Sequence, residues 1–265
     1  MVAQRRAVVL VPYLTHVEPA CEHGLRELER CGVEVRRFAS TAAVDRTRCE
    51  MATQALGDGF DDLIWIDSDI VFDPEDVERL RGHDRPIIGG LYPKKGSPSF
   101  AAYFEPGTTM IKLGTAAAAA GAEAAFEVRY LGLGFLRTQR EVYADIQATF
   151  SLPACNLRFG APVVPYFLPM VIQDHARPGG YWYLGEDYAF CERARQAGHH
   201  IMVDTSIRLG HVGSYRYGWE DAVQPIQRVD GMTLNLPATA EAGADAASAS
   251  ASALPASAPA TRDDS

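Results

Sequence analysis

The chain has 265 residues, 47% of them hydrophobic and 22% charged, with a formal charge of -9. That is enough apolar material for one large domain or two small ones, and the acidic balance without any Lys/Arg run argues against nucleic acid or anionic membrane as a partner. No stretch approaches the ~20 apolar residues of a membrane span, and five cysteines with no Cys-x-x-Cys pair fit a reduced, cytoplasmic protein better than a disulfide framework or a zinc site.

In chain order, Ala7-Val8-Val9-Leu10-Val11 is a continuous apolar run, the pattern of a strand buried on both faces of a parallel sheet. Residues 19–31 have helical spacing, with Leu25 and Leu28 apolar and Gly32 placed as a C-cap. Residues 33–38 alternate and read as a second strand, and residues 44–56 as a helix closed by Gly57. Leu63-Ile64-Trp65-Ile66 is a third strand, a helix starts at Asp73-Pro74, and residues 86–92 are a fourth strand. This alternation predicts βαβ units, hence an α/β fold with a mostly parallel sheet flanked by helices. Beyond Pro93 the pattern loosens. Residues 107–125 read as a short helix or a mobile insertion, 126–136 as a strand interrupted by Gly132 and Gly134, and 138–150 as a helix. Residues 155–172 read as irregular with a strand, 184–197 as a helix, and 201–204 and 207–209 as strands. Residues 237–265, mostly Ala, Ser, Pro and Thr, read as a disordered tail after a single domain over residues 1–236.

Four constellations carry chemistry. Asp67 and Asp69, at the end of the third strand, would in extended geometry point to the same side. Ligands of open α/β sheets sit beyond such carboxyl ends, and two hard oxygen donors there suit Mg²⁺ or Mn²⁺ and through it a diphosphate. A strand end running into an ordinary turn explains the pair equally well. Glu186 and Asp187 begin a helix: a general base needs a carboxylate on a rigid element, while capping and the helix dipole supply a purely structural reason. His211, with Gly210 and Gly213 about it, can complete a carboxylate-bound metal site or be an ordinary polar residue. Arg46 and Arg48 at a helix start can reach a diphosphate or simply face solvent. Lys94 or Lys95 after Gly89-Gly90-Leu91-Tyr92-Pro93 offers a charge clamp, and Gly134 a close approach. Of the aromatics Tyr166, Phe167, Tyr181, Trp182 and Tyr183, sugar stacking and core packing are both open uses.

In order and spacing these elements resemble the GT-A glycosyltransferases, which use nucleotide-sugar donors. The resemblance rests on Pro12-Tyr13-x-Thr15, Arg46-x-Arg48, Ile66-Asp67-Ser68-Asp69-Ile70, Gly89-Gly90-Leu91-Tyr92, Gly132-x-Gly134, Glu186-Asp187 and His211-x-Gly213, and it spans residues 7–217. It implies a donor pocket using Pro12, Tyr13, Thr15, Arg46, Arg48, Asp67, Ser68, Lys94 and Gly134, and a Mn²⁺ or Mg²⁺ held by Asp67, Asp69 and His211. It also implies Asp187 as the base, with Glu186 behind it, in an inverting, family-2-like reaction. The expected acidic residue after the second strand is absent, Ser40 and Thr41 standing there; a UDP-sugar is the favoured donor, and a glycan, peptide or small molecule the acceptor. Two rivals remain: a haloacid-dehalogenase-type phosphatase with Asp67 as nucleophile, and a nucleotide-sugar-binding module without turnover.

Overall fold

A computed structural model describes residues 5–40, 43–114, 125–174, 177–213, 216–222 and 231–235. The leading strand, β1 (Ala7–Tyr13), lies between β2 (Glu34–Ala39) and β3 (Asp62–Ile66), parallel to both. Its unbroken apolar run divides by pleat: Val8 and Leu10 face one core layer, Val9 and Val11 the other, all at 0–1% exposure. That double burial is why the sequence shows no polar alternation there.

Each face is covered by helices. The layer holding Val9 takes α1 (Pro19–Arg30) through Cys21, Leu25 and Leu28, and α3 (Pro74–Gly82) through Val77 and Leu80. The layer holding Val8 takes α2 (Val44–Gly57), α4 (Arg140–Phe150) and α5 (Glu186–Gln196). Local chemistry sets the helix ends. Asp73 caps α3 by accepting the Glu75 N–H at 3.0 Å, with Pro74 in the first turn where its missing N–H is harmless. After α1, Gly32 takes φ +83° and the Val33 N–H returns to the Leu28 carbonyl at 3.0 Å, a Schellman closure. Helix α2 runs through Gly57, and it is Gly59, at φ +84°, that turns the chain.

The central sheet adds β5 (Ile87–Gly90), β8 (Ala125–Val128), β10 (Phe135–Gln139) and β13 (Ile201–Asp204) in the order β2-β1-β3-β10-β5-β13-β8. Five of the seven strands share one direction; β10, wedged between β3 and β5, and β8 at the edge run against it. Smaller pairings surround this sheet: β6 (Ala102–Tyr103) with β9 (Tyr130–Leu131), β7 (Met110–Gly114) with β16 (Gly231–Asn235), and β11 (Met170–Asp174) with β12 (Gly180–Leu184). The last, β4 (Ile70–Val71), β14 (Gly210–Val212) and β15 (Arg216–Tyr217), forms a three-stranded sheet that matters for the site.

Four expectations change. The 126–136 strand is three separate strands, and Thr138 and Gln139 belong to β10 rather than to the helix that follows. Within 107–125 the structure has the strand β7, and residues 115–124 lie outside the described residues. Residues 207–209 are not a strand: Asp204 Oδ1 accepts both the backbone N–H and the hydroxyl of Ser206, ending β13 in a turn, and Ile207 and Leu209 instead fill the core over Gly90. The tail beyond Asn235 lies outside the described residues. Among those residues no helix is long and apolar enough to cross a membrane, and all five cysteines are free thiols.

Candidate active site

Asp67 leaves β3 at its carboxyl end, where β1 also ends in Pro12 and Tyr13. The pair is not extended, as the sequence suggested. The Ile70 N–H bonds the Asp67 carbonyl at 3.0 Å, so Asp67-Ser68-Asp69-Ile70 is a tight turn. The turn is anchored on both sides: Asp67 N–H to the Gly134 carbonyl at 3.0 Å, and Glu18 N–H to the Ser68 carbonyl at 2.8 Å. It splits the two carboxylates between two partners.

Asp67 belongs to Arg48. The Arg48 Nη2 donates to Asp67 Oδ1 at 2.6 Å, its guanidinium lies over the Trp65 ring at 5.5 Å, and its Nε is 3.9 Å from Glu186 Oε1. Arg48 is 3% exposed, yet its Nε and Nη1 have no hydrogen-bond partner. Buried guanidinium N–H groups are rarely left so, and Arg48 is itself one of the residues walling a cleft.

Asp69 belongs to the opposite wall. Pairing of β14 with β4 puts His211 opposite Ile70, and the Val212 N–H bonds the Asp69 carbonyl at 2.8 Å. His211 Nε2 then lies 3.4 Å from Asp69 Oδ1. Its Nδ1 is 2.8 Å from the Pro93 carbonyl; a carbonyl only accepts, so Nδ1 donates to it and the Nε2 edge faces the carboxylate. Lys95 Nζ sits 2.5 Å from Asp69 Oδ2. Burial pushes the Asp69 carboxyl up, but His211 and Lys95 outweigh it and hold it below its ordinary value.

Between these walls is a cleft of about 390 Å³. Pro12, Tyr13, Leu14, Ser40 and Val44 line the side formed by β1, β2 and α2; Arg48, Asp67, Ser68, Asp69, Glu186 and His211 line the rest. Asp187 is next to Glu186 in the first turn of α5, within electrostatic reach of Arg48 and Asp67. Its Oδ1 accepts the Tyr188 N–H at 2.7 Å, and burial, aided by Glu186, pushes its pKa up to about 6. Asp187 itself does not line the cleft; its neighbour Glu186 does. Asp67, Asp69, Glu186 and Asp187 against Arg48 and Lys95 leave two negative charges in excess, the deficit a divalent cation would fill.

The remaining expected donor contacts scatter. Thr15 is exposed and bonds His16, and Arg46 points outward to Glu50, 66% exposed. Lys94 is exposed, and Lys95 is the lysine that reaches Asp69. Gly134 does not wall the cleft but supports it. Its N–H bonds the Tyr92 hydroxyl at 3.1 Å, and a Cβ there would fall 2.7 Å from Tyr92 Cζ. Tyr92 in turn meets His211 edge-on at 5.3 Å. Its role escaped the sequence, where Tyr92 reads as the end of a glycine turn. Of the five aromatics, Tyr166, Phe167 and Trp182 pack inward, whereas Tyr181 and Tyr183 are 71% and 75% exposed. A second hollow, about 620 Å³ between α1 and β2, is walled by Glu22, Arg26, Glu29, Arg30 and Arg37. Its charges are spent on each other, Arg37 pairing with both Glu22 and Glu29.

No protein-family model and no curated protein sequence matches the chain. Solved structures do. The crystal structure of A197 from STIV aligns with a TM-score of 0.48 at 17% identity, over 78% of this chain and 86% of that one. GalNAc-T7 with UDP, GalNAc and Mn2+ aligns at 0.43 and 11% identity, over 84% of this chain and 47% of that one. A glycosyltransferase involved in the glycosylation of the major capsid of PBCV-1 aligns at 0.33 and 11% identity, over 55% and 65%. These are partial likenesses of fold, and the chemistry has to be read from the cleft itself.

Proposed function

We propose that this chain is a metal-dependent glycosyltransferase of the GT-A type, moving a sugar from a nucleoside-diphosphate donor, UDP-linked by preference, to an acceptor hydroxyl with inversion. The observation that carries the reading is the convergence on one cleft of the Asp69–His211 pair and the under-bonded Arg48, with the tuned Asp187 next to the lining residue Glu186. Asp69 Oδ1 and His211 Nε2, 3.4 Å apart, suit neighbouring ligands of one cation. A carboxylate and an imidazole fit Mn²⁺, and a carboxylate with phosphates and waters fits Mg²⁺. Two protein ligands make an incomplete set; among the described residues no three His, Cys, Asp or Glu side chains gather as a metal site. A nucleoside diphosphate would therefore complete the coordination. When bound, the cation supplies neutralisation of the leaving diphosphate.

The chain's own groups do the rest. Asp67 stays with Arg48 and offers its second oxygen to the donor ribose or to the cation. Arg48, on the cleft wall, donates N–H groups to oxygens of the diphosphate. Pro12, Tyr13 and Leu14 hold the base. Asp187 accepts the proton of the acceptor hydroxyl as that oxygen attacks the anomeric carbon, whose bond to the phosphate oxygen breaks with its electron pair leaving on the diphosphate. Base catalysis of this kind contributes ~10²–10⁴ in rate. A cytoplasmic setting is part of the reading, the five free thiols suiting a reducing compartment.

The test is a thermal-shift panel of UDP, GDP, dTDP and CDP with and without Mn²⁺, on the wild type and Asp69→Ala. A ligand at a hundredfold excess over its dissociation constant stabilises by ~2.7 kcal/mol, or about 5–10 °C for a chain of this size. One nucleotide should give a shift that needs Mn²⁺ and vanishes in Asp69→Ala. No shift with any of the four would reject the reading and direct work to phosphatase substrates.

A further inference from the structure

Asp69 is fully engaged before any ligand arrives. Its Oδ1 faces His211 Nε2 at 3.4 Å and its Oδ2 holds Lys95 Nζ at 2.5 Å. A divalent cation on the same carboxylate would stand ~2.0–2.2 Å from the oxygen. With the metal on Oδ1 beside His211 and the ammonium on Oδ2, two cations would share one carboxylate, and like charges that close repel strongly. The geometry points to Lys95 as a displaceable counter-ion of Asp69, neutralising the carboxylate in the resting protein and leaving it when a divalent cation enters.

The surroundings suit an exchange. Lys95 sits in a tight turn between Pro93 and Phe100, with Gly96 at φ +68° and the Lys94 N–H bonded to the Ser99 carbonyl at 2.8 Å. The turn fixes the backbone while the side chain remains 37% exposed, so the stem can swing without disturbing the core. Its path is cleared by Gly213, two residues after His211: a Cβ there would come 3.2 Å from Lys95 Cδ and 3.7 Å from Cε. The same turn supplies the Pro93 carbonyl that orients His211. One short loop thus sets both the metal-facing edge of the imidazole and the cation that stands in for the metal. The exchange makes cation binding weak in the free protein and favours joint arrival of cation and diphosphate, since the phosphates give the released ammonium a new partner.

This inference rests on the metal reading above, and the test separates the two. Mn²⁺ alone, without nucleotide, is titrated into the wild type, Lys95→Ala, Lys94→Ala and Lys95→Ala/His211→Ala, and free Mn²⁺ is read by electron paramagnetic resonance. Lys95→Ala should bind Mn²⁺ roughly three- to fivefold more tightly than the wild type, the upper scale of a partly exposed ion pair that no longer competes. Lys94→Ala removes the same charge one residue away and should change affinity less than about twofold. The double variant should lose the gain. Equal binding by the wild type and Lys95→Ala overturns the exchange alone. So does a gain in Lys94→Ala equal to that in Lys95→Ala, or a gain that survives in the double variant. No Mn²⁺ binding even by Lys95→Ala overturns the exchange, and the metal reading falls with it only if Mn²⁺ with UDP also gives no thermal shift.

Discussion

Replacing Arg48 by Met separates stability from function in a way the structure makes quantitative. The substitution removes one charge-assisted hydrogen bond, Nη2 to Asp67 Oδ1 at 2.6 Å, worth roughly 1.5–3 kcal/mol. It also removes two buried N–H groups, Nε and Nη1, that have no partner and cost about 1–3 kcal/mol each, along with the desolvation of a charge that is 3% exposed. Met keeps the contact with Trp65. Asp67 is 29% exposed, so water takes over from the guanidinium. Gains and losses nearly cancel, and the melting temperature should move by less than about 6 °C in either direction. Nucleotide binding should not be so forgiving. Two charge-assisted contacts to a diphosphate together represent about 3 kcal/mol or more, roughly a hundredfold in dissociation constant. Asp187 loses a nearby positive charge, so the acid limb of the activity profile should move upward from about pH 6. Calorimetric unfolding beside nucleotide titration in Mn²⁺ reads both. A drop of more than ~10 °C would make Arg48 a structural keystone, and an unchanged nucleotide affinity would remove it from the donor site.

Asp187→Asn should lower kcat/KM by ~10²–10⁴ while leaving the nucleotide thermal shift in place, and the wild-type profile should fall below about pH 6 as the carboxyl protonates. The sign for stability is opposite to the usual carboxylate: its pKa rises from 3.8 to about 6 on folding, so stability declines as pH rises through that window. Asparagine, which does not titrate, should therefore gain more relative to the wild type at pH 7 than at pH 4, as denaturant melts at the two pH values will show. Gly134→Ala drives a Cβ to 2.7 Å from Tyr92 Cζ and strains the Gly134 N–H bond to the Tyr92 hydroxyl. A loss of about 1–3 kcal/mol is expected, and a neutral melt would mean the ring has room to move. Tyr143→Phe leaves the Trp65 indole N–H, now 2.9 Å from the Tyr143 hydroxyl, without an acceptor and strips Thr138 of its 2.8 Å partner. Urea unfolding should show a loss of about 1–3 kcal/mol.

What could be read from the sequence was whatever local chemistry decides. The apolar run of β1, the Asp73–Pro74 start of α3 and the Gly32 turn after α1 are fixed by neighbours along the chain. So is the arrival of Asp67 at the end of a buried strand. What escaped was set by distant partners. The direction of β10 depends on which strands flank it, since an apolar strand looks alike either way round. The turn at Asp67–Ile70 is held by Gly134 and Glu18, the latter from the start of α1. The outward turn of Arg46 could have been foreseen. Residues two apart on a helix face opposite ways, so Arg46 and Arg48 could not both enter the cleft. The choice between Lys94 and Lys95 could not, because it hangs on the turn through Gly96.

The antiparallel entry of β10 also sets a clock. Asp67 is fixed only when Gly134 arrives, and the opposite wall only when His211 pairs beside Ile70, 144 residues after Asp67. At ~5–20 residues per second of synthesis the aspartate turn waits roughly 7–29 s for its last partner. During that interval β1 and β3 can already pair, but β3 offers an open edge where β10 will later lie. Lesions that slow docking of the segment from Phe135 onward should then show as aggregation of nascent chains rather than as a less stable finished protein.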